Sequence, residues 1–184
     1  MRPMQFRLGR RGLDVHLVEL SPGAMQDLNS LAEQLSWNVE RVLRETGARQ
    51  VDLVGVSLGG ILALLYAQNA AHLGQVRRLV GIGTPWQGSP MATAALPVLG
   101  WVSAGVWQIR TAAPLLHQMV AAGIPDHVEV ISISMRGDMA APPSRCVLPG
   151  AKNVALGGRA TPWTHQWLIM STAALEETAT ALKA

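Results

Sequence analysis

Apolar residues arrive along this chain in two alternating rhythms. A run at 51–56, fully apolar apart from Asp52, and apolar-rich runs at 76–82 and 128–134 predict strands, covered on both faces by the helices between them, and 153–156 predicts another, shorter one. Residues 13–20 read as a further short apolar strand, stopped by Ser21-Pro22-Gly23. Between these runs the spacing turns helical. Leu28, Leu31, Leu35, Val39, Val42 and Leu43 share one face of a helix running to about Thr46. Ser30 with Glu33 forms its expected capping box, and Gly47 its stop. Residues 58–68 are apolar on nearly every side, which predicts a buried helix, and 166–182 predicts an amphipathic one. Residues 86–125 hold Gly, Pro, Trp and Ala-rich helical pieces. Strands alternating with helices imply an α/β fold: a doubly wound, mostly parallel sheet with helices on both faces, in one domain spanning 1–184.

Composition narrows the class. The chain is 184 residues, 49% apolar and only 15% charged, so it buries a core and is not disordered. Its net charge of +3 comes from 13 Arg and 2 Lys against 12 acidic residues, scattered along the chain. No run interleaves basic with aromatic residues, which argues against nucleic acid as a partner and leaves weak attraction to anionic lipid or substrate. Cys146 is the only cysteine, so no intrachain disulfide forms, and it reads as a small packed side chain. The stretch from Met1 to Arg7 lacks the apolar core of a signal peptide, so cytoplasmic residence is the default; secretion or the envelope follows if an upstream segment belongs to the protein. Residues 91–109 are free of charge over a near-membrane length, but Pro97, Gly100 and Gly105 interrupt them. They read as a cap or lid within 86–125 rather than a membrane span, suited to transient contact with a lipid surface.

The chemistry centres on Gly55-Val56-Ser57-Leu58-Gly59, set between a predicted strand and a predicted helix. This is the pattern of a nucleophile elbow, whose sharp turn exposes the serine hydroxyl and is expected to exclude side chains at both Gly55 and Gly59. A serine nucleophile needs a base, and the base an orienting acid. Asp138 follows the strand at 128–134, and His165 follows the last strand, just before the last helix. Both are therefore expected at the carboxyl ends of strands, where functional groups of such sheets gather. Asp126 precedes its strand and falls at the wrong end. His16, His72, His117 and His127 sit inside a strand, on helix faces or at a strand's amino end. No two histidines have metal-ligand spacing on one face, so no metal and no cofactor is expected.

In these segments the chain resembles the α/β-hydrolase family, in particular bacterial triacylglycerol lipases and related serine esterases. Residues 51–66 resemble the family's elbow and following helix, the run from Val76 to Ser89 its strand and Gly-Thr-Pro-x-x-Gly loop, and 148–154 the segment between its acid and its histidine. The resemblance implies a serine ester hydrolase acting through an acyl-enzyme, with Ser57 as nucleophile, Asp138 as acid, His165 as base and the Leu58 N–H in the oxyanion hole. Its partner would be an ester or lipid molecule. Trp86 in the loop and Trp101 and Trp107 in the cap are the candidate substrate-binding aromatics, with ordinary packing on the sheet as the rival reading of the cap. Val56 and Trp86 stand where such lipases usually carry His. The family's opening strand and His-Gly loop, source of the second oxyanion donor, have no counterpart here. That strand belongs between 13–20 and 51–56, so a gap in the sheet is expected, with impaired activity. Three resolutions stand: an upstream segment belongs to the protein, the flanking strands pair directly, or the protein is a degenerate relative. The rival functions are a non-catalytic binding module and an acyltransferase or thioesterase on the same scaffold.

Overall fold

A computed structural model of the protein describes residues 2–20, 27–99, 103–161 and 163–183. Helix α1 (Arg2–Gly9) leads into an extended segment and then into α2 (Leu28–Thr46). Strand β1 (Val51–Val56), α3 (Leu58–Gln68) and β2 (Val76–Ile82) follow. Three short helices, α4 (Pro90–Leu99), α5 (Ala104–Gln108) and α6 (Pro114–Ala122), come next. The chain ends with β3 (Glu129–Met135), β4 (Lys152–Leu156), α7 (Thr164–Trp167) and α8 (Thr172–Lys183).

The strands pair in parallel in the order β1-β2-β3-β4. Alternate residues of each strand face opposite sides, and each side has its own core. Val76, Leu79 and Val130 face α2, α3 and α6, where Leu31, Leu62 and Met119 close over them. Val80, Ile82, Ile131 and Ile133 face α1 and α8, meeting Met4, Leu8, Leu175 and Leu182. The unbroken burial of 79–82 in β2 and of 130–134 in β3 follows from this packing on both faces. The 91–109 stretch divides between α4 and α5, and no helix among the described residues is long and apolar enough to cross a membrane.

Three local expectations change. The cap of α2 is Asp27, not Ser30: its Oδ1 accepts the N–H groups of Asn29 at 2.9 Å and Ser30 at 3.1 Å, and Ser30 Oγ donates to its Oδ2 at 2.8 Å. A carboxylate one turn earlier satisfies the orphan donors better than the hydroxyl does, and Gly47 closes the helix in the left-handed region at φ 68°. The C-terminal helix is broken: a 3-10 turn at Leu168–Met170 and an extended Ser171 separate α7 from α8. Finally, residues 13–20 form no ladder. Leu13 and Val15 pack toward the α1/α8 core and Val18 and Leu20 toward the α2/α3 core, so the segment is held by its side chains and by a hydrogen bond from Gln5 Nε2 to the Val15 carbonyl at 3.0 Å.

That segment lies across a cleft of about 570 Å³ from β1, whose outer edge is open; Leu13, Val15, Leu35, Val39, Leu53 and Val54 are among the residues facing it. The flanking segments have therefore not closed up against each other. Val51 N–H and Ser57 N–H donate to Gln75 and Ile82 carbonyls on the β2 side. By alternation, the backbone groups of Asp52, Val54 and Val56 point into the cleft, where no described residue pairs with them. This explains why β1, as apolar as β2, is mostly only half-buried.

Candidate active site

β1 ends in a turn that puts Ser57 at φ 53°, ψ −121°, before α3 begins at Leu58. A non-glycine residue with positive φ costs on the order of 1–3 kcal/mol, which the surrounding packing must hold. Gly55 makes the turn sterically possible. A Cβ there would lie 2.3 Å from Gly60 N and 2.4 Å from Gly59 C, both backbone atoms that cannot yield. The expectation of a matching demand at Gly59 is corrected: a Cβ at Gly59 meets nothing within 4 Å. The second obligatory glycine is Gly60, where a Cβ would lie 2.1 Å from the Oγ1 of the fully buried Thr84. Among the described residues, the N–H of Leu58, first in α3, has no acceptor, which leaves it free to bind an oxyanion.

Asp138 is reached through the turn after β3. It is 2% exposed, yet its carboxylate is fully engaged. Oδ1 accepts the N–H groups of Ala140 at 2.9 Å and Ala141 at 3.0 Å, and Oδ2 lies 2.7 Å from His165 Nδ1. With Nδ1–H donated to the carboxylate, Nε2 is the imidazole nitrogen left to act as a base.

Two glycines bring this pair together. Gly137, at φ +83°, presses on the backbone of Arg159 and Ala160, where a Cβ would come within 2.5 Å of Ala160 N. Gly158 presses in return on Arg136, where a Cβ would lie 2.4 Å from its carbonyl oxygen. The loop carrying Asp138 and the loop leading to His165 are thereby in backbone contact. Thr164 locks the histidine's helical turn, since its Oγ1 donates to Arg159 O at 2.8 Å and accepts Thr161 N–H at 3.0 Å. Gly83, at φ +57°, is the floor beneath the pair: a Cβ there would lie 2.6 Å from Leu168 Cδ1, 3.4 Å from His165 Cε1 and 3.6 Å from Asp138 Oδ2.

Ser57 is tied to the residue next to this turn, because its N–H donates to the carbonyl of Ile82, the neighbour of Gly83. Ser57 Oγ makes no hydrogen bond among the described residues, as is common before a substrate tightens such a site.

The α/β-hydrolase fold family matches residues 22–118, more than half of the chain. The chain belongs to the α/β-hydrolase family. It is 37% identical over 97 residues to a triacylglycerol lipase of Pseudarthrobacter phenanthrenivorans, a stretch covering 52% of this chain and 30% of that protein. A triacylglycerol lipase of Burkholderia plantarii is also 37% identical over 97 residues, covering 52% of this chain and 26% of its own length. The chain thus matches under a third of the length of these relatives. Phospholipase PlaB from Legionella pneumophila, solved in complex with thio-NAD, superposes with a TM-score of 0.77 over 99% of this chain and 54% of its own, at 10% identity. That likeness concerns the fold.

Among the α/β-hydrolase aromatics singled out above, Trp86 is corrected. It is fully buried, packed over Gly81, and its Nε1–H donates to Ser132 Oγ at 2.8 Å. Ser132 Oγ donates to the Cys146 carbonyl at 2.6 Å, and Cys146 Sγ to the Ala141 carbonyl at 3.3 Å. Trp86 therefore ends a buried chain of hydrogen bonds leading to the residue whose N–H binds Asp138, and it offers no surface to a substrate. Burial, then the nearby Asp138 charge, push the Cys146 thiol up to about 12, so it has no nucleophilic character at neutral pH.

Trp107 is half-exposed on α5, with the Arg110 guanidinium 5.0 Å from its ring centroid. Trp101 lies outside the described residues. Within the cap segment, α6 buries Leu116 and Met119 in the core, whereas Met91 and Val98 on α4 are exposed.

Proposed function

We propose that the protein is a serine carboxylester hydrolase of lipase or esterase type. The observation carrying this reading is a serine held at positive φ after β1, in the same parallel sheet whose β3 and β4 lead at their carboxyl ends to the hydrogen-bonded Asp138–His165 pair. Ser57 Oγ attacks the ester carbonyl as His165 Nε2 takes its proton. Asp138 keeps the imidazole oriented and stabilises the imidazolium. The Leu58 N–H stabilises the tetrahedral oxyanion. Collapse breaks the ester C–O bond, and the departing alcohol takes the proton back from His165. A water molecule, deprotonated by the same nitrogen, then attacks the acyl-enzyme and releases the carboxylic acid, restoring Ser57. The lipase relatives support an ester or lipid as substrate.

The test is a fluorophosphonate probe with a p-nitrophenyl ester assay. Wild type is expected to be labelled at Ser57 and to turn over, and Ser57→Ala to lose labelling and about 10⁶ in kcat. A folded wild type that takes no label refutes the reading.

A further inference from the structure

We propose that the surface formed by α1, α7 and the 3-10 turn after α7 docks this protein onto an anionic lipid bilayer. Four large apolar side chains stand in solvent on these elements: Phe6 (66% exposed), Trp163 (61%), Trp167 (64%) and Met170 (55%). Their elements are contiguous. α1 packs on the 3-10 turn, and Arg7 Nη1 donates to the Met170 carbonyl at 3.0 Å. Trp163 and Trp167 are four residues apart, joined by a backbone hydrogen bond of 3.0 Å, so their indoles share one side of a single turn. His165, between them, points the opposite way toward Asp138. Inserting the indoles therefore does not require the imidazole to move. On α1, Met4 and Leu8 are buried, while Phe6 and Arg10, one turn apart, face outward with the guanidinium 5.9 Å from the ring centroid.

Tryptophan suits an anchor of this kind, because its body is apolar and its N–H stays wet at headgroup level. Charge decides the partner. Arg2, Arg7, Arg10 and Arg11 crowd the first eleven residues, which hold no acid, and Arg159 shares a shallow depression with Trp167. Two acids face this set. Glu176 on α8 is held by Arg11 through both carboxylate oxygens, and Glu19 lies 3.5 Å from Arg2. Among the described residues Arg7, Arg10 and Arg159 meet no acid in an ion pair; Arg7 is engaged by the Met170 carbonyl and Thr172 Oγ1, which leaves Arg10 and Arg159 as the cations placed to meet lipid phosphates beside the inserted rings. An acidic protein surface would satisfy the arginines but leave no wet interface for exposed indoles.

The experiment is co-sedimentation of the whole chain with large vesicles of phosphatidylglycerol and phosphatidylcholine, or of phosphatidylcholine alone. Binding to the anionic vesicles is expected, with weak binding to the neutral ones and loss in high salt. The double variant Trp163→Ser/Trp167→Ser is expected to bind at least about tenfold more weakly, and Arg159→Gln roughly fivefold more weakly. Leu73→Ser, at an exposed apolar residue outside these elements, is expected to leave binding unchanged. Thermal melts check that each variant folds, and Arg159→Gln keeps the test open should the double variant not fold. Wild type that ignores anionic vesicles, or variants that bind as wild type does, overturn the proposal. Ser57→Ala is expected to bind vesicles fully, so docking and hydrolysis fail or survive separately.

Discussion

β1 has two edges, and the strained turn at Ser57 sits at the end of both. On the β2 side the backbone is paired and the acid–base pair is assembled: the Ser57 N–H finds the Ile82 carbonyl, Gly83 clears the floor, and Asp138 and His165 meet at 2.7 Å. On the other side Asp52, Val54 and Val56 turn their backbone groups into an apolar cleft with no partner among the described residues. The contrast teaches that the parts of the proposed site are separable. On that proposal Ser57, His165 and Asp138 depend on the closed edge, whereas oxyanion binding draws on both sides of the turn. Here the described residues supply one donor, the Leu58 N–H, and a missing donor of this kind typically costs about 10²–10³ in rate.

The sharpest way to break the closed side is Asp138→Asn. It keeps the shape but offers His165 an amide in place of a carboxylate, so kcat is expected to fall about 10⁴-fold at nearly unchanged thermal stability, measured by ester turnover and melting. Next is Gly55→Ala, whose Cβ would strike helix backbone at 2.3–2.4 Å. A loss of more than about 3 kcal/mol is expected in denaturant unfolding, or no folded protein at all. The two edges of β1 are compared directly by amide hydrogen exchange. The Val54 and Val56 amides, facing the cleft, are expected to exchange at least tenfold faster than those of Leu53 and Gly55, which face β2; equal protection would show that the open edge is filled. The smallest effect is Gly59→Ala. With open space at that Cβ and helical backbone, it is expected to be neutral or stabilising by up to about 1 kcal/mol, and to retain activity.

What could be read along the chain was local. β1, α3 and β2 follow from apolar runs of the right length, the stop of α2 from Gly47, and the order Ser57, Asp138, His165 from where each residue falls relative to a strand end. Elements held by their own hydrogen bonds and by a one-sided or two-sided apolar pattern need no distant partner to be recognised. Even so, Asp27 displaced Ser30 as a cap because it lay one turn outside the apolar rhythm.

The rest was decided between segments. Residues 13–20 carry a strand's composition, but a strand exists only where another edge accepts its hydrogen bonds, and β1 stands across a cleft. Trp86 sits in a loop motif suggestive of a binding site, yet Gly81 and Ser132, from two different strands, make room and a hydrogen-bond acceptor for it inside the core. Gly55 and Gly59 look equivalent in Gly-x-Ser-x-Gly, and only the approach of helix backbone and of Thr84 shows that Gly55 and Gly60 carry the steric demand. The sequence by itself determined the elements and the strand ends after which Ser57, Asp138 and His165 emerge, because local pattern sets the elements. The tertiary structure alone decided which of them touch, which are buried and which edge stays open, because those depend on distances between segments far apart in the chain.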